Sequence, residues 1–459
     1  MSIILRDYQV DIIDRARDLM RSGVRSICIQ GPTGMGKTAL VAHMLKTASE
    51  KGLTSWFIVH RRELVHQSIA AFNKVGVNLG VQASGFQEDN RPLVQICGVQ
   101  TLINRYTRLP APNFIVFDEA HHQAAGSWSK LFHAFPSAYR IGVTATPERL
   151  DGKGLSDYYE QLIEGPTVEW LISRGYLSPY RLFAPPMQDQ NFHKRMGDFV
   201  KSEIVEAMNK PRITGSAILE YKRRATGKRA VVFCASIEHS RQVVADFLSQ
   251  GISAEHVDGE TPQVERDAAI KRFTTGETLV LSNVDLFGEG FDLPAIEVAI
   301  LLRPTASLGL YLQQVGRALR PSPGKTEALI LDHAGNCARH GLPDENRQWS
   351  LEGRTQSRTD GEQVASIKIC PVCFGAQVSG PPKCMHCGHT FEIQAVREIE
   401  QVDGDLQEVD LSKLKSVRRA EQGRAKDLAD LIAVGRARNY KRPELWARFV
   451  YMGRRRKNG

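Results

Sequence analysis

The sequence predicts an α/β protein with two successive domains, each built on a parallel sheet, followed by a cysteine module and a basic helical tail. Short apolar, β-branched runs alternate with helical stretches twice along the chain, a pattern typical of sheets buried on both faces. Two C-x-x-C pairs follow, and after them Lys and Arg accumulate. The predicted divisions are a first domain at 1–178, a second at 179–340, a linker at 341–368, a cysteine module at 369–392 and a tail at 393–459.

Each domain is predicted from its apolar runs and from the helical stretches between them. In the first domain the expected strands are 26–30, 55–59, 93–97, 114–117 and 139–143, with helices at 38–51 and 61–72. The pattern resumes after a proline-containing stretch at 178–186, with strands at 229–234, 278–282, 298–302 and 328–332 and a helix at 240–250. Three cysteines in these runs are expected to be buried core thiols: Cys28, Cys97 and Cys234.

The net charge of +9 belongs to the tail. Residues 413–457 hold 15 Lys and Arg against 4 Asp and Glu, whereas the rest of the chain is close to neutral. A basic segment of this kind usually binds polyanions, of which nucleic acid is the commonest. The chain shows neither a secretory signal nor an apolar run of membrane-spanning length, so we expect a soluble, cytoplasmic protein.

A phosphate-binding loop is predicted at residues 31–38, which read Gly-Pro-Thr-Gly-Met-Gly-Lys-Thr and fit G-x-x-x-x-G-K-[ST]. The loop residues expected to hold a nucleotide are Gly31, Thr33, Gly34 and Gly36. The glycines let backbone N–H groups approach a phosphate, and the following helix points its positive end at the anion. Lys37 would reach the β- and γ-phosphates, and the Thr38 hydroxyl would ligate Mg²⁺. A chance glycine-rich turn is the alternative, but a strand precedes this one and a helix follows it.

An acidic box, Asp-Glu-Ala-His at 118–121, follows the predicted strand 114–117. Ligands of parallel sheets bind at the carboxyl ends of the strands, where this box lies. Asp118 would hold Mg²⁺ through water, and Glu119 would polarise the attacking water as a general base. An acidic helix N-cap is the structural alternative, which the phosphate loop upstream disfavours.

Together with Thr-Ala-Thr-Pro at 144–147, these motifs resemble the superfamily 2 helicases that carry a DEAH signature. Five further segments resemble that family's motifs, at residues 59–64, 98–102, 231–240, 282–292 and 313–320. The resemblance covers about residues 3–335 and implies two tandem RecA-like domains that bind ATP between them. Residues 332–336 resemble the phage and bacterial DNA-repair-type branch. Ser282 stands where many relatives carry Thr, and it keeps the hydroxyl.

The segment 313–320 contains the two arginines that are predicted to contact the γ-phosphate of ATP. Arg317 and Arg320 lie at i and i+3 and therefore share one face of a helix, from which they could clamp a γ-phosphate. The resemblance favours Arg320 as the arginine finger, with Arg317 as its partner, and Gln313 as the residue that orients water or phosphate. A solvated basic helix face is the structural alternative.

The resemblance also implies nucleotide contacts at two other places. Arg6 and Gln9 correspond to the element that recognises adenine, with the Gln9 amide reading the base edge. Gly290 and Asp292, in the segment 282–292, correspond to the second domain's contribution to the nucleotide site.

Four cysteines form two C-x-x-C pairs separated by ten residues: Cys370, Cys373, Cys384 and Cys387. Each pair makes a turn that offers two thiolates, and two such turns close a tetrahedral structural Zn²⁺ site. His386 and His389 are weaker alternative ligands, and a disulfide or a redox pair is the other possibility. Such a zinc ribbon would dock nucleic acid or a protein.

The tail combines basic residues with aromatic ones, a composition that suits phosphate attraction with base stacking. A helical hairpin whose aromatics pack inward explains the same residues equally well. The predicted function is an ATP-driven nucleic-acid helicase or translocase, with DNA favoured over RNA on the branch resemblance alone. Three alternatives stay open: an RNA-dependent ATPase, an ATP-switched scaffold, and the motor subunit of a repair or restriction complex.

Overall fold

A computed structural model gives the structure of the protein. It describes residues 4–149, 152–184, 194–195, 198–199, 211–284, 296–353, 367–369, 376–378, 382–383, 388–390, 407–408, 422, 425, 427–437, 443–444, 446–447 and 450–451. Six predicted site residues lie outside this description: Gly290, Asp292, Cys370, Cys373, Cys384 and Cys387.

The first domain is a seven-stranded parallel sheet in the order β3-β4-β2-β5-β6-β1-β7. Its strands are β1 (Ser26–Gln30), β2 (Ser55–Val59), β3 (Leu79–Gln82), β4 (Val94–Gly98), β5 (Phe114–Asp118), β6 (Tyr139–Thr144) and β7 (Gln161–Glu164). Its helices are α1 (Asp7–Arg21), α2 (Lys37–Glu50), α3 (Arg62–Val75), α4 (Val99–Leu102), α5 (Gly126–Ala134) and α6 (Val168–Ser173).

Both faces of this sheet are covered, which explains its unbroken apolar runs. Side chains of successive strand residues point to opposite faces. In β2, Phe57 joins the apolar cluster formed with α1, α2 and α3, whereas its neighbours Trp56 and Ile58 join the cluster formed with α5. Cys28 and Cys97 are buried free thiols in the second cluster, as the sequence predicts.

The second domain repeats this architecture, with the sheet order β12-β13-β11-β14-β15-β8-β18. Its strands are β8 (Tyr180–Ala184), β11 (Ala230–Phe233), β12 (Ala254–Val257), β13 (Val280–Asn283), β14 (Val298–Leu301), β15 (Ala328–Asp332) and the antiparallel β18 (Gln407–Glu408). Its helices are α7 (Pro211–Arg224), α8 (Ile237–Ser249), α9 (Gln263–Thr275), α10 (Leu308–Ala318) and α11 (Asn336–His340). Two short hairpins, β9 (Lys194–Arg195) with β10 (Asp198–Phe199) and β16 (Ile367–Ile369) with β17 (Ala376–Val378), and helix α12 (Leu428–Ala437) complete the described elements.

The α/β prediction with two parallel-sheet domains is confirmed. Within the two large sheets, sequence reasoning missed β3, β7, β8, β12 and β18, which have two to five residues and lie at or next to the sheet edges. The first four of these each keep at least one residue that is partly or fully exposed. Short outer strands lack the continuous apolar run on which the prediction relied. Within the described part of the chain, no helix has the length and apolar character that a membrane crossing requires.

Candidate nucleotide site between the two domains

The phosphate loop joins β1 to α2 and depends on left-handed glycines. Gly34 has φ 91° and Gly36 has φ 87°, values that side chains disfavour. A Cβ at Gly36 would also lie 2.7 Å from the amide nitrogen of Gln9. The Lys37 ammonium folds over the loop and donates to the Gly31 carbonyl at 2.9 Å. The loop therefore has the closed backbone curve on which a phosphate binds.

The charges around Lys37 bring the predicted catalytic residues to one place. Burial lowers the pKa of the Lys37 ammonium, and the negative charges of Glu119 and Asp118 oppose that effect. The positive charges of Arg317 and Arg320, from the second domain, lower the same pKa further. Two acids from one domain and two arginines from the other therefore act on one lysine.

Glu119 and Asp118 occupy a turn at the end of β5. Glu119 has φ 50°, the sole positive φ outside glycine among the described residues, and such strain is frequent at functional sites. Burial, followed by the adjacent charge of Glu119, raises the pKa of Asp118 to about 7, while Lys37 opposes the rise. Mg²⁺ prefers hard oxygen ligands. A buried pair of carboxylates with the nearby Thr38 hydroxyl fits that ion.

Helix α10 carries the second domain's residues into this site. The Gln313 amide donates to the Glu119 carboxylate at 3.4 Å, across the domain boundary. Gly316 lies so near the phosphate loop that a Cβ there would be 2.5 Å from the Cβ of Thr33. Arg317 is 3% exposed. The structure thus brings Gln313 and Arg320 close to the phosphate site. The prediction that Arg317 and Arg320 share one helix face is wrong, because α10 ends at Ala318 and Arg320 lies in the bend that follows.

Gln9 occupies a different position from the one its predicted role requires. Its amide oxygen accepts from the Arg6 backbone at 2.9 Å. Its amide nitrogen donates to the carbonyls of Met35 and Gly36 at 3.2 Å each. Gln9 therefore braces the phosphate loop directly, and Arg6 supports it through the Tyr8 hydroxyl, which donates to the Met35 carbonyl at 2.7 Å. The adenine contact stays a prediction that requires Gln9 to exchange its partners.

Sequence reasoning gave His121 no role, yet it links the acidic box to Thr144. The His121 Nδ1 atom lies 3.4 Å from the Glu119 carboxylate and 3.2 Å from the Thr144 hydroxyl. That hydroxyl donates to the Thr146 carbonyl at 2.9 Å. A second-domain glycine, Gly309, packs against Thr146. These contacts, which run from Glu119 through His121 and Thr144 to Thr146, thus connect the Glu119 carboxylate to the domain boundary.

Lys325 was also missed, because an isolated lysine in a polar loop carries no signal. Its ammonium donates to the carbonyls of Ala318, at the end of α10, and of Arg320. A third bond reaches the Ile296 carbonyl at 2.8 Å. Burial lowers the pKa of Lys325 to about 8. Lys325 therefore fixes the backbone that carries the two arginines.

The two domains meet again at the segment 59–64, one of those that resemble a helicase motif. Arg266 of α9 forms an ion pair with Glu63, the second residue of α3. Arg266 also donates to the Thr261 carbonyl at 3.0 Å, and it is buried.

A polar network surrounds Ser282 in the second domain. The Ser240 hydroxyl lies 2.6 Å from the Ser282 hydroxyl and 2.7 Å from His256 Nδ1. The other nitrogen of His256 lies 2.9 Å from the Asp258 carboxylate. Ser282, which replaces the Thr of many relatives, therefore uses its hydroxyl in this network.

The fold and site define an ATPase in which a phosphate loop on one domain faces arginines on another. The first domain matches the family model described as "Type III restriction enzyme, res subunit" over residues 2–149. The second matches "Helicase conserved C-terminal domain" over residues 210–322. The chain belongs to the superfamily 2 helicases and is an ATP-hydrolysing enzyme that acts on nucleic acid.

Relatives span phages, yeast and archaea. A 51.5 kDa protein of a Lactococcus phage is 36% identical over 413 residues, covering 89% of this chain and 88% of that one. IRC3 of Saccharomyces cerevisiae, named provisionally as an ATP-dependent helicase, is 30% identical over 72% of this chain, which spans about half (52%) of its length. The DNA 3'-5' translocase XPB2 of Sulfurisphaera tokodaii is 26% identical, over 72% of this chain and 81% of that one.

Solved structures share the fold. A fragment assigned as an HsdR subunit of a type I restriction enzyme from Vibrio vulnificus YJ016 has a TM-score of 0.59 at 23% identity, covering 74% of this chain and 66% of that one. The type ISP restriction-modification enzyme LlaBIII, bound to DNA, has a TM-score of 0.54 at 18% identity, covering 72% of this chain and 28% of that one.

Proposed function

We propose that the protein is a DNA translocase or helicase that couples ATP hydrolysis in this cleft to movement along DNA. One observation carries the proposal: residues of the second domain reach the phosphate site of the first. The Gln313 amide donates to the Glu119 carboxylate at 3.4 Å, and the Arg320 side chain lies 3.6 Å from the position of a Cβ at Gly34. A nucleotide site formed by two domains loses the residues of one of them when the domains separate. Hydrolysis can therefore be converted into domain motion.

The roles of the side chains follow from their positions. Lys37 and the loop N–H groups bind the phosphates of ATP, and Glu119 takes a proton from the attacking water. Gln313 holds the Glu119 carboxylate in place from the second domain. Arg320, with Arg317, stabilises the negative charge that develops on the transferred phosphoryl group. Thr38 and Asp118 would hold Mg²⁺, which neutralises phosphate charge when bound.

The name of one relative supports DNA as the proposed substrate, and the charge of the tail supports binding of nucleic acid in general. XPB2, which matches 72% of this chain, is named a DNA translocase. The positive charge of the basic tail attracts the phosphates of any nucleic acid. We further propose a cytoplasmic location and a Zn²⁺ ribbon at Cys370, Cys373, Cys384 and Cys387. The ribbon is supported by cysteine spacing alone. Among the described residues no cluster of three or more His, Cys, Asp or Glu could hold a metal ion.

The first experiment is the steady-state ATPase rate with Mg²⁺, measured alone and with single-stranded DNA, duplex DNA or RNA. We expect DNA to raise the rate. Lys37→Ala should lower the DNA-stimulated ATPase rate at least ~100-fold, because the phosphates of ATP lose their buried cation. Lys46→Ala, on the same helix, is the matched control and should retain the rate.

The alternatives predict different results. Stimulation by RNA alone would make the protein an RNA-dependent ATPase and overturn the DNA assignment. A rate that no nucleic acid changes would overturn the motor and favour an ATP-switched scaffold. DNA stimulation justifies unwinding assays on forked duplexes, which separate a helicase from a translocase.

A further inference from the structure

The chain that follows α11 does not leave the second domain as a free linker. Residues 341–353, named the strap below, are held first to that domain. The Tyr311 hydroxyl donates to the Gly341 carbonyl at 3.2 Å, and the Tyr180 hydroxyl donates to the Asp344 carboxylate at 2.5 Å. Both tyrosines are buried. This anchor ties the strap to β8 and α10.

Arg347 stabilises the turn at the same end of the strap. Its guanidinium donates to the carbonyls of His340 and Leu342 at 2.8 and 2.9 Å, and to that of Glu345 at 3.1 Å. A guanidinium that bonds several carbonyls of one turn holds its backbone in a single shape. The strap therefore leaves the second domain in a defined direction.

The other end of the strap is anchored on the first domain. The Leu351 carbonyl accepts from the backbone N–H groups of Leu155 and Ser156 at 2.7 and 2.9 Å. Gly353 forms an antiparallel bridge with Lys153. The Leu351 side chain is 9% exposed and belongs to the first domain's apolar cluster with α5. These contacts span roughly 200 residues of sequence, so they are tertiary and not local.

Between its anchors the strap borders the nucleotide cleft. Its residues Pro343, Arg347 and Trp349 line a pocket together with Thr33 of the phosphate loop and Gly316 of α10. The strap therefore crosses the domain boundary beside the place where the arginine-bearing helix meets the phosphate loop.

We propose that the strap is a positioning element that restricts the motion of the two domains to a hinge and so returns Arg317 and Arg320 to the phosphate loop in each cycle. The proposal rests on the proposed function. The chain already crosses once near residue 178, where the Ser178 N–H donates to the Leu319 carbonyl at 2.8 Å. If the polypeptide connects the two domains at one point, one domain can rotate about three axes relative to the other. Two fixed connections allow rotation only about the line that joins them.

The strap also limits how far the cleft opens. An extended chain spans about 3.3–3.6 Å per residue, so the seven steps from Asp344 to Leu351 reach at most ~25 Å. While both anchors hold, the domains rotate within that limit. Leu351 and Arg347 are thus positioning residues, since Leu351 anchors the backbone of the strap on the first domain and Arg347 fixes the turn at its other end.

Two variants release the strap from opposite sides. Leu351→Asp places a charge in the apolar cluster, which disfavours docking. Gly154→Ala leaves the strap unchanged, but its new methyl group would collide with the Leu351 carbonyl. Glu352→Gln, at the exposed position between the two anchoring residues, is the matched control. Far-UV circular dichroism and thermal unfolding verify that each variant is folded. If one variant does not fold, the other still tests the proposal.

We expect both variants to lower the DNA-stimulated kcat at least ~10-fold while KM for ATP changes less than twofold. Lys37 and the phosphate loop, which hold the phosphates of ATP, are unchanged in both variants, whereas the arginines act in the transition state. Dyes placed through non-natural residues at the exposed positions 50 and 245 should show a broader distribution of interdomain distances. The control should match the wild type in both measurements.

Folded variants with wild-type kcat and an unchanged distance distribution would overturn the proposal. So would a raised KM for ATP with kcat unchanged, because that would give the strap a role in binding. If the wild type shows no DNA-stimulated hydrolysis, the proposed function fails, but the distance distributions still decide whether the strap restricts the domains.

Discussion

At the scale of the residue, Lys325 shows how one buried cation fixes the end of an arginine-bearing helix. It donates to the carbonyls of Ala318 and Arg320, and burial lowers its pKa to about 8. We expect Lys325→Met to destabilise the protein by about 1–3 kcal/mol, because buried carbonyl oxygens lose their donor. The deficit should grow from pH 8 towards 10.5. In that range the unfolded chain still binds the proton that folded Lys325 has released, so the contribution of Lys325 to stability rises with pH. Chemical denaturation at pH 7.5 and 10 measures both effects. A difference that does not change with pH would show that Lys325 keeps its proton.

At the scale of the element, α10 carries a glycine where a helix ordinarily favours alanine. Gly316→Ala should stabilise the helix by about 0.5–1 kcal/mol, because alanine has the higher helix propensity. The added Cβ would lie 2.5 Å from the Cβ of Thr33, so α10 must move away from the phosphate loop. We therefore expect a stable variant whose kcat falls at least ~10-fold, as measured by thermal unfolding and ATPase assays. Thr33→Gly makes room for the methyl group. The double variant should then hydrolyse ATP as fast as Thr33→Gly alone, and a double variant as slow as Gly316→Ala would refute the steric explanation.

At the scale of the whole molecule, side chains of the two domains meet at places far apart in the cleft. Gln313 of α10 bonds Glu119 of the acidic box, and Arg266 forms an ion pair with Glu63. We expect Glu63→Gln and Arg266→Gln each to lower the DNA-stimulated kcat. The double variant should lose little more than either single variant, because the same contact is removed. Arg272→Gln breaks an ion pair with Glu255 inside the second domain and should leave the rate unchanged. Strictly additive losses would mean that Glu63 and Arg266 act independently.

The residues whose roles could be predicted are those that belong to a short motif of consecutive residues. The phosphate loop at 31–38 needs glycines, a lysine and a hydroxyl at fixed spacing, and the structure gives Gly34 and Gly36 the left-handed backbone that this spacing implies. Strands 26–30, 55–59 and 328–332 were predicted with the bounds they have, because a strand buried on both faces is apolar at every position.

Residues whose role depends on distant partners were missed or placed differently. Lys325 and His121 carry no local signal, since their partners lie in other elements. Gln9 was expected to face a base, but its amide is used by the phosphate loop. Residues 341–353 were expected to be a linker because they are polar, yet Leu351 fills the first domain's core.

The sequence by itself determined the two-sheet α/β class, the phosphate loop and the acidic box, because each follows from the residue types in short consecutive segments. Only the tertiary structure decided which residues meet across the cleft: Gln313 with Glu119, Gly316 with Thr33, and the strap with both domains. The physical reason is that contacts between domains depend on how two rigid bodies pack. That packing is set by many weak interactions between residues far apart in the chain, which no short segment encodes.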